Sequence, residues 1–169
     1  VRPRLRAAVF STGDEVAVKN AAATGVSAYP SALVQLLLFL GFFIAFAIKA
    51  PMFPVHTWLA DTTEKATTGT SVLLVCILDK IGTFGMLRFC LGLFPDASQW
   101  ATPVVVVLAL ISIVYGALVA IGQDDVLRLI GLTSLSHFGF IVLGIFVFSS
   151  QGGSGAILYM VNHGIGTAL

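Results

Sequence analysis

Three long stretches of the chain carry no charged side chain: residues 20–48, 97–123 and 129–169. Apolar residues run through them without alternation, as in LVQLLLFLGFFIAFAI over 33–48. A charge-free apolar run longer than about 18 residues reads as a membrane span. A membrane β-barrel would instead show alternating segments of about ten residues. The pattern therefore predicts an all-α fold, a polytopic transmembrane helix bundle with a broken first helix. The first span starts near residue 32, with Tyr29-Pro30-Ser31 as a natural helix start and Ser31 available as its cap. Residues 32–48 would reach only about 25 Å, short of a hydrocarbon core of about 30 Å. Pro51 and Pro54 remove backbone donors and should break the helix there. VHTWLA then completes the crossing to about residue 60, which puts Lys49 inside the membrane beside the break.

Residues 61–69 read as a polar connection. Further spans are expected over about 70–94, 102–121 and 126–149, with an incomplete one over 156–169. Pro103 falls near the first turn of its span, where proline is tolerated. Asp124 and Asp125 suit the start of the next. Residues 151–155, QGGSG, read as a turn. The last apolar stretch is too short to cross alone, so the sequence looks cut or part of something larger. Residues 1–31 are mixed and read as a tail or loop. Arg2, Arg4 and Arg6 are not followed by the apolar core of a signal peptide. With Lys19 they favour a cytoplasmic start.

Composition narrows the class. Of 169 residues 57% are apolar and 10% charged, the formal net charge is +1 and the mean hydropathy is +1.00. A soluble domain averages about 25% charged residues. Too little polar material is present to cover a soluble enzyme, and a nucleic-acid binder would need a basic surface. Cys76 and Cys90 are apolar-flanked and read as packing residues; no Cys-x-x-Cys pair suggests a cluster or zinc site. No catalytic, cofactor-binding or metal site is read from the residues. There is no Gly-x-Ser-x-Gly elbow and no phosphate loop between a strand and a helix.

The candidate chemistry lies in four ionisable residues on four helices: Lys49, Lys80, His137 and His163. An ionisable group in mid-membrane is costly and usually lines a polar path or site. Burial disfavours the ammonium form of a lysine and so allows proton release; histidine titrates near neutrality. Together they can build a line of titratable groups across a bundle. Structural roles fit the same residues: Lys49 snorkelling to an interface, Lys80 pairing across helices, and the histidines bonding between helices. Asp79 adjoins Lys80 in sequence but sits about 100° away on a helix, which disfavours a pair within it. Two histidines on separate spans could also ligate a haem, although lysines at similar depth suit a proton path better. His56, beside Trp58, reads as structural or interfacial.

Several of these segments occur together elsewhere. The stretch Ala47-Ile48-Lys49-Ala50-Pro51-Met52-Phe53-Pro54-Val55-His56-Thr57-Trp58-Leu59 resembles the broken-helix signature of the antiporter-like subunits of respiratory complex I. Gly69-Thr70-Ser71-Val72 with Leu78-Asp79-Lys80 is similar to the next helix of that family. Tyr115-Gly116-Ala117, Gln123-Asp124 and Arg128-Leu129-Ile130 continue it. Thr133-Ser134-Leu135-Ser136-His137-Phe138-Gly139-Phe140 is the most specific piece, and Met160-Val161-Asn162-His163-Gly164 closes the match. The resemblance covers about residues 34–169 and is closest to the M-type chain of bacterial proton-pumping NADH:quinone oxidoreductase, the counterpart of mitochondrial subunit 4.

The resemblance implies a 14-helix parent with two inverted five-helix repeats and a mid-membrane chain of charged residues that carries protons. By motif Lys49 is the broken-helix lysine, which pairs with a glutamate on an earlier helix. Lys80 is the central lysine, and His137 and His163 link it to a later glutamate. Neither glutamate has a counterpart here. NADH, flavin, iron–sulfur clusters and quinone would belong to partner subunits, with no cofactor and no redox site in this chain. Its surroundings would be other membrane-arm subunits, the lipid bilayer, protons and water, with no nucleic acid, in a bacterial plasma membrane. Ala60-Asp61-Thr62-Thr63, Ala66-Thr67-Thr68 and Leu127 depart from the family pattern at loops and helix ends. A cation/proton antiporter or membrane-bound hydrogenase subunit shares the helix pattern. A truncated structural membrane piece without transport is the alternative of another class.

Overall fold

The structure, a computed structural model, describes residues 32–169. The expected tail over 1–31 and its Tyr29-Pro30-Ser31 helix start lie outside the described residues. Six helices follow: α1 (Ala32–Lys49), α2 (Thr57–Lys65), α3 (Thr68–Leu93), α4 (Pro95–Ile121), α5 (Val126–Phe146) and α6 (Ser150–Ala168). No strand occurs among the described residues. By length and composition α3, α4 and α5 can cross a membrane, and the apolar stretch Leu33–Lys49 is shorter. The all-α membrane bundle with a broken first helix is the architecture found.

The break follows from backbone accounting. A helix end leaves its last four carbonyls without intrahelical partners, and Pro51 and Pro54 have no N–H to offer. The Phe46 carbonyl accepts from the Ala50 amide at 2.7 Å, and Ala47 from Met52 at 3.2 Å. The Ile48 carbonyl accepts from the Trp58 indole at 2.9 Å. Inside the break, the Phe53 amide donates to Ser112 Oγ on α4 at 2.9 Å. Lys49 stands in the last turn of α1, where a cation suits the negative end of the helix dipole. Ser112→Ala removes the acceptor and is expected to cost about 1–3 kcal/mol, the desolvation cost of an orphaned amide. Thermal unfolding of the assembled complex checks it, and an unshifted transition contradicts it.

Several boundaries differ from the sequence expectation. The connection expected over 61–69 is mostly helical, since α2 runs to Lys65 and α3 starts at Thr68. Asp61 and Glu64 form an exposed face while Leu59, Ala60 and Thr63 are buried; polarity there marks a helix face, not a loop. α4 starts at Pro95, seven residues before the expected 102, with proline in its first turn. Pro103 therefore sits inside the helix. α5 ends at Phe146 instead of 149. The expected turn over 151–155 lies within the first two turns of α6, because Ser149 Oγ caps the helix by accepting from the Gly152 amide at 3.0 Å. The chain reverses instead at 147–149, where Phe148 takes φ 53°. Asp125 caps α5 as expected, accepting from the Arg128 amide at 2.8 Å.

The packing of α4 is inverted relative to a helix of a soluble protein. The buried face of α4 is made of small residues: Ala97, Ser98, Ala101, Val105, Ala109, Ser112, Gly116 and Ala120. Its large apolar residues, Val104, Val107, Val114, Leu118 and Ile121, point outward. Lipid offers no hydrophobic drive between helices, so small faces that let backbones approach hold the bundle together. α4 and α5 form the broadest of these contacts, α2 and α6 pack on α5, and α1 packs on α3. An aromatic cluster of Phe42, Phe46 and Phe89 fills the α1–α3 seam, with ring centroids about 6 Å apart. At one end Arg128 bridges Asp61 at 2.8 Å and Glu64 at 2.6 Å, tying α2 to the start of α5.

Candidate functional site: a lysine–histidine cluster between α3, α5 and α6

Lys80 lies near the middle of α3, just after a π-helical segment over Leu74–Leu78. Such segments widen a helix locally and recur at functional sites. Here the Lys80 ammonium donates to the Val75 carbonyl within that segment. Its Nζ also lies 2.6 Å from Nδ1 of His163 on α6 and 5.1 Å from the centroid of the Phe138 ring on α5. An ammonium has no acceptor capacity, so Nδ1 accepts and the ring proton resides on Nε2. His163 is buried, and its Nε2 has no hydrogen-bond partner among the described residues. Close approach is possible because Gly164 presents no side chain toward the Cys76 carbonyl, which a Cβ would reach at 3.1 Å.

His137 continues the cluster from α5. Its ring centroid is 5.0 Å from that of His163, and its Nδ1 is 2.6 Å from the Tyr159 hydroxyl. It stands at the cluster's outer edge, exposed among the described residues. Three of the four residues singled out from the sequence, Lys80, His163 and His137, are thus brought together in that order. Lys49 is not in direct contact with them. It is half-buried at the end of α1, beside Pro51 and Pro54. His56 is buried between Phe53 and Tyr115, with centroids at 5.7 and 5.1 Å, a packing role. Cys90 is fully buried and Cys76 partly so, both as free thiols.

Two residues were not assigned to the site from the sequence. Tyr159 precedes His163 by four positions on α6, and that spacing places both on one helix face; the signal was present. Asp79 is fully buried on α3, but its adjacency to Lys80 pointed away from a pair and gave no partner.

With this geometry in view, known proteins provide the family. The family model described as NADH:quinone oxidoreductase/Mrp antiporter, TM, matches residues 7–169. The chain is 60% identical over 131 residues to NADH-quinone oxidoreductase subunit M of Mycobacterium tuberculosis strain H37Rv, covering 78% of this chain and 24% of that protein. It is 47% identical over 131 residues to the subunit M of Rhodobacter capsulatus, covering 78% and 26%. Among solved structures, a chain of respiratory complex I from Thermus thermophilus with bound NADH superimposes with a TM-score of 0.77 at 33% identity, covering 82% of this chain and 30% of that one. The chain thus spans about a quarter of the length of these curated relatives. It belongs to the NADH:quinone oxidoreductase/Mrp antiporter transmembrane family.

Proposed function

We propose that the chain forms part of a proton-translocating membrane-arm subunit of NADH:quinone oxidoreductase, in which Lys80, His163 and His137 relay protons within the membrane. The observation that carries this reading is the 2.6 Å contact between Lys80 Nζ and His163 Nδ1, which joins two helices far apart in sequence. A proton leaving Lys80 can pass to His163 and onward toward His137, whose ring stands 5.0 Å away. Water would bridge the steps too long for a direct hydrogen bond. Lys49, beside the helix break, would modulate Lys80 through the field it exerts in a low-dielectric interior. NADH, flavin, iron–sulfur and quinone chemistry would lie in partner subunits of a bacterial plasma-membrane complex, this chain sharing the membrane arm with other subunits.

The names of the relatives favour the quinone oxidoreductase over a cation/proton antiporter, although one family model covers both. His163→Leu in the full-length subunit tests the relay. Leucine fills the buried site without a lone pair for Lys80, and pumping per NADH oxidised is expected to fall about a hundredfold or more, as for loss of a positioned proton-transfer group. Unchanged pumping in assembled complex overturns the reading. Sodium-dependent transport without NADH oxidation would assign the chain to the antiporter branch.

A further inference from the structure

Asp79 is the one described carboxylic acid that is completely buried. Neither of its oxygens has a hydrogen-bond partner among the described residues. It neighbours Lys80 in sequence yet occupies another face of α3. Asp79, Gly82, Thr83 and Met86 recur at helical spacing, and all four are buried. Gly82 of this set meets α1, and Thr83 Oγ1 lies 3.3 Å from Met160 Sδ on α6. A Cβ added at Gly82 would stand 2.8 Å from the Phe46 carbonyl and 2.7 Å from Ala50 Cβ. Asp79 is one turn before that point, at the level of the helix break where α1 ends in Lys49. Lys80 follows it in the chain, and Lys49 adjoins Ala50, which packs on Gly82.

A leucine would fill such a place at no polar cost, whereas an unbonded buried carboxyl is costly. Packing does not account for an acid here. We propose that Asp79 is a proton-exchanging group that couples Lys49 at the helix break to Lys80 in the relay. It has two states of equal net charge. In one, a carboxylate balances the Lys80 ammonium. In the other, Lys80 has swung from the Val75 carbonyl to Asp79 and handed over a proton: one N–H bond of Lys80 has broken and one O–H bond of Asp79 has formed, leaving an amine beside a carboxylic acid. No other reactant is needed. Both states keep the Asp79–Lys80 couple neutral in a low-dielectric interior, and the charge of Lys49 biases the choice between them. A shift of Lys49 at the break would thereby alter whether Lys80 is ready to accept or release a proton.

This inference rests on the proposed relay, and its test separates the two. Asp79→Asn, Asp79→Leu and Asp79→Glu are placed in the full-length subunit of the intact complex, beside Lys80→Ala. The asparagine keeps shape and polarity but cannot exchange a proton. Pumping per NADH oxidised is expected to fall about fivefold or more in the asparagine and leucine variants, and to be largely kept with glutamate. Infrared difference spectra between resting and NADH-energised complex should show a carboxyl band that Asp79→Glu displaces. Normal pumping in Asp79→Asn, or an undisplaced band in Asp79→Glu, overturns the inference while the relay stands if Lys80→Ala fails to pump. Normal pumping in Lys80→Ala overturns the relay itself. Should Asp79→Asn not assemble, the glutamate spectrum decides alone.

Discussion

In the full-length subunit, Lys80→Ala is expected to lower NADH-driven proton pumping by about a hundredfold, the lower end of what a positioned proton-transfer group contributes. Lys80 reaches three elements of the cluster at once: the Val75 carbonyl within α3, His163 on α6 and the face of Phe138 on α5. Alanine removes the proton carrier and leaves the His163 Nδ1 without its donor. Lys80→Arg separates charge from proton exchange. A guanidinium keeps the positive charge but does not release a proton, so pumping is expected to be as low as with alanine. Pumping by inverted vesicles, normalised to NADH oxidised and to assembled complex, reads both. Recovery with arginine would mean that charge alone suffices and that Lys80 carries no proton.

Gly139→Ala is expected to destabilise the bundle by about 1–3 kcal/mol, the usual cost of overpacking a filled interior. Gly139 lies on α5 against α4, the broadest helix contact of the structure. A Cβ there would stand 2.8 Å from the Ala109 carbonyl oxygen and 3.1 Å from the Ile113 amide nitrogen. Those are backbone atoms of a 27-residue helix and cannot swing aside as a side chain could. Separating α4 from α5 would also stretch the Ser136 hydroxyl bond to the Ile113 carbonyl, now 3.0 Å. Gly153→Ala is the matched control, since nothing lies within 4 Å of a Cβ at that site in α6. It should be neutral or gain up to about 1 kcal/mol from helix propensity. Heating the purified complex and following retention of the subunit compares the two. Equal retention would show that α4 and α5 have room to spare.

The polar residues of α2 illustrate where reading from sequence stops. Asp61, Thr62 and Glu64 look like a connection in one dimension. In three, Asp61 and Glu64 converge on Arg128, 67 and 64 residues away, and the polarity belongs to one exposed helix face. Glycines misled in the same way at 152–155, where a capping serine one turn earlier matters more than helix propensity. The broken helix, by contrast, was legible because its cause is local. Two prolines three apart delete donors wherever the chain goes, and only the replacement partners, Trp58 and Ser112, needed the fold.

The site divides along the same line. Lysines and histidines in apolar runs stand out in sequence because burying them is costly, and the resemblance ordered them into a path. Tyr159 could have been found from its spacing to His163. Asp79 stands out by the same cost, but adjacency along the chain hides the turn of about 100° that sets it on another face of α3 while Lys80 reaches α6.

By itself the sequence determined that this is a helical membrane protein, where its first helix breaks, and which side chains are too costly to be buried without purpose. Those properties depend on composition, proline chemistry and periodicity, all of which are local. The tertiary structure alone decided that Lys80 touches His163 and not Asp79, that His137 stands at the edge of the cluster, and that small residues make the buried face of α4. These are consequences of helix rotation and crossing, set by the close approach of backbones at Gly82, Gly116 and Gly139.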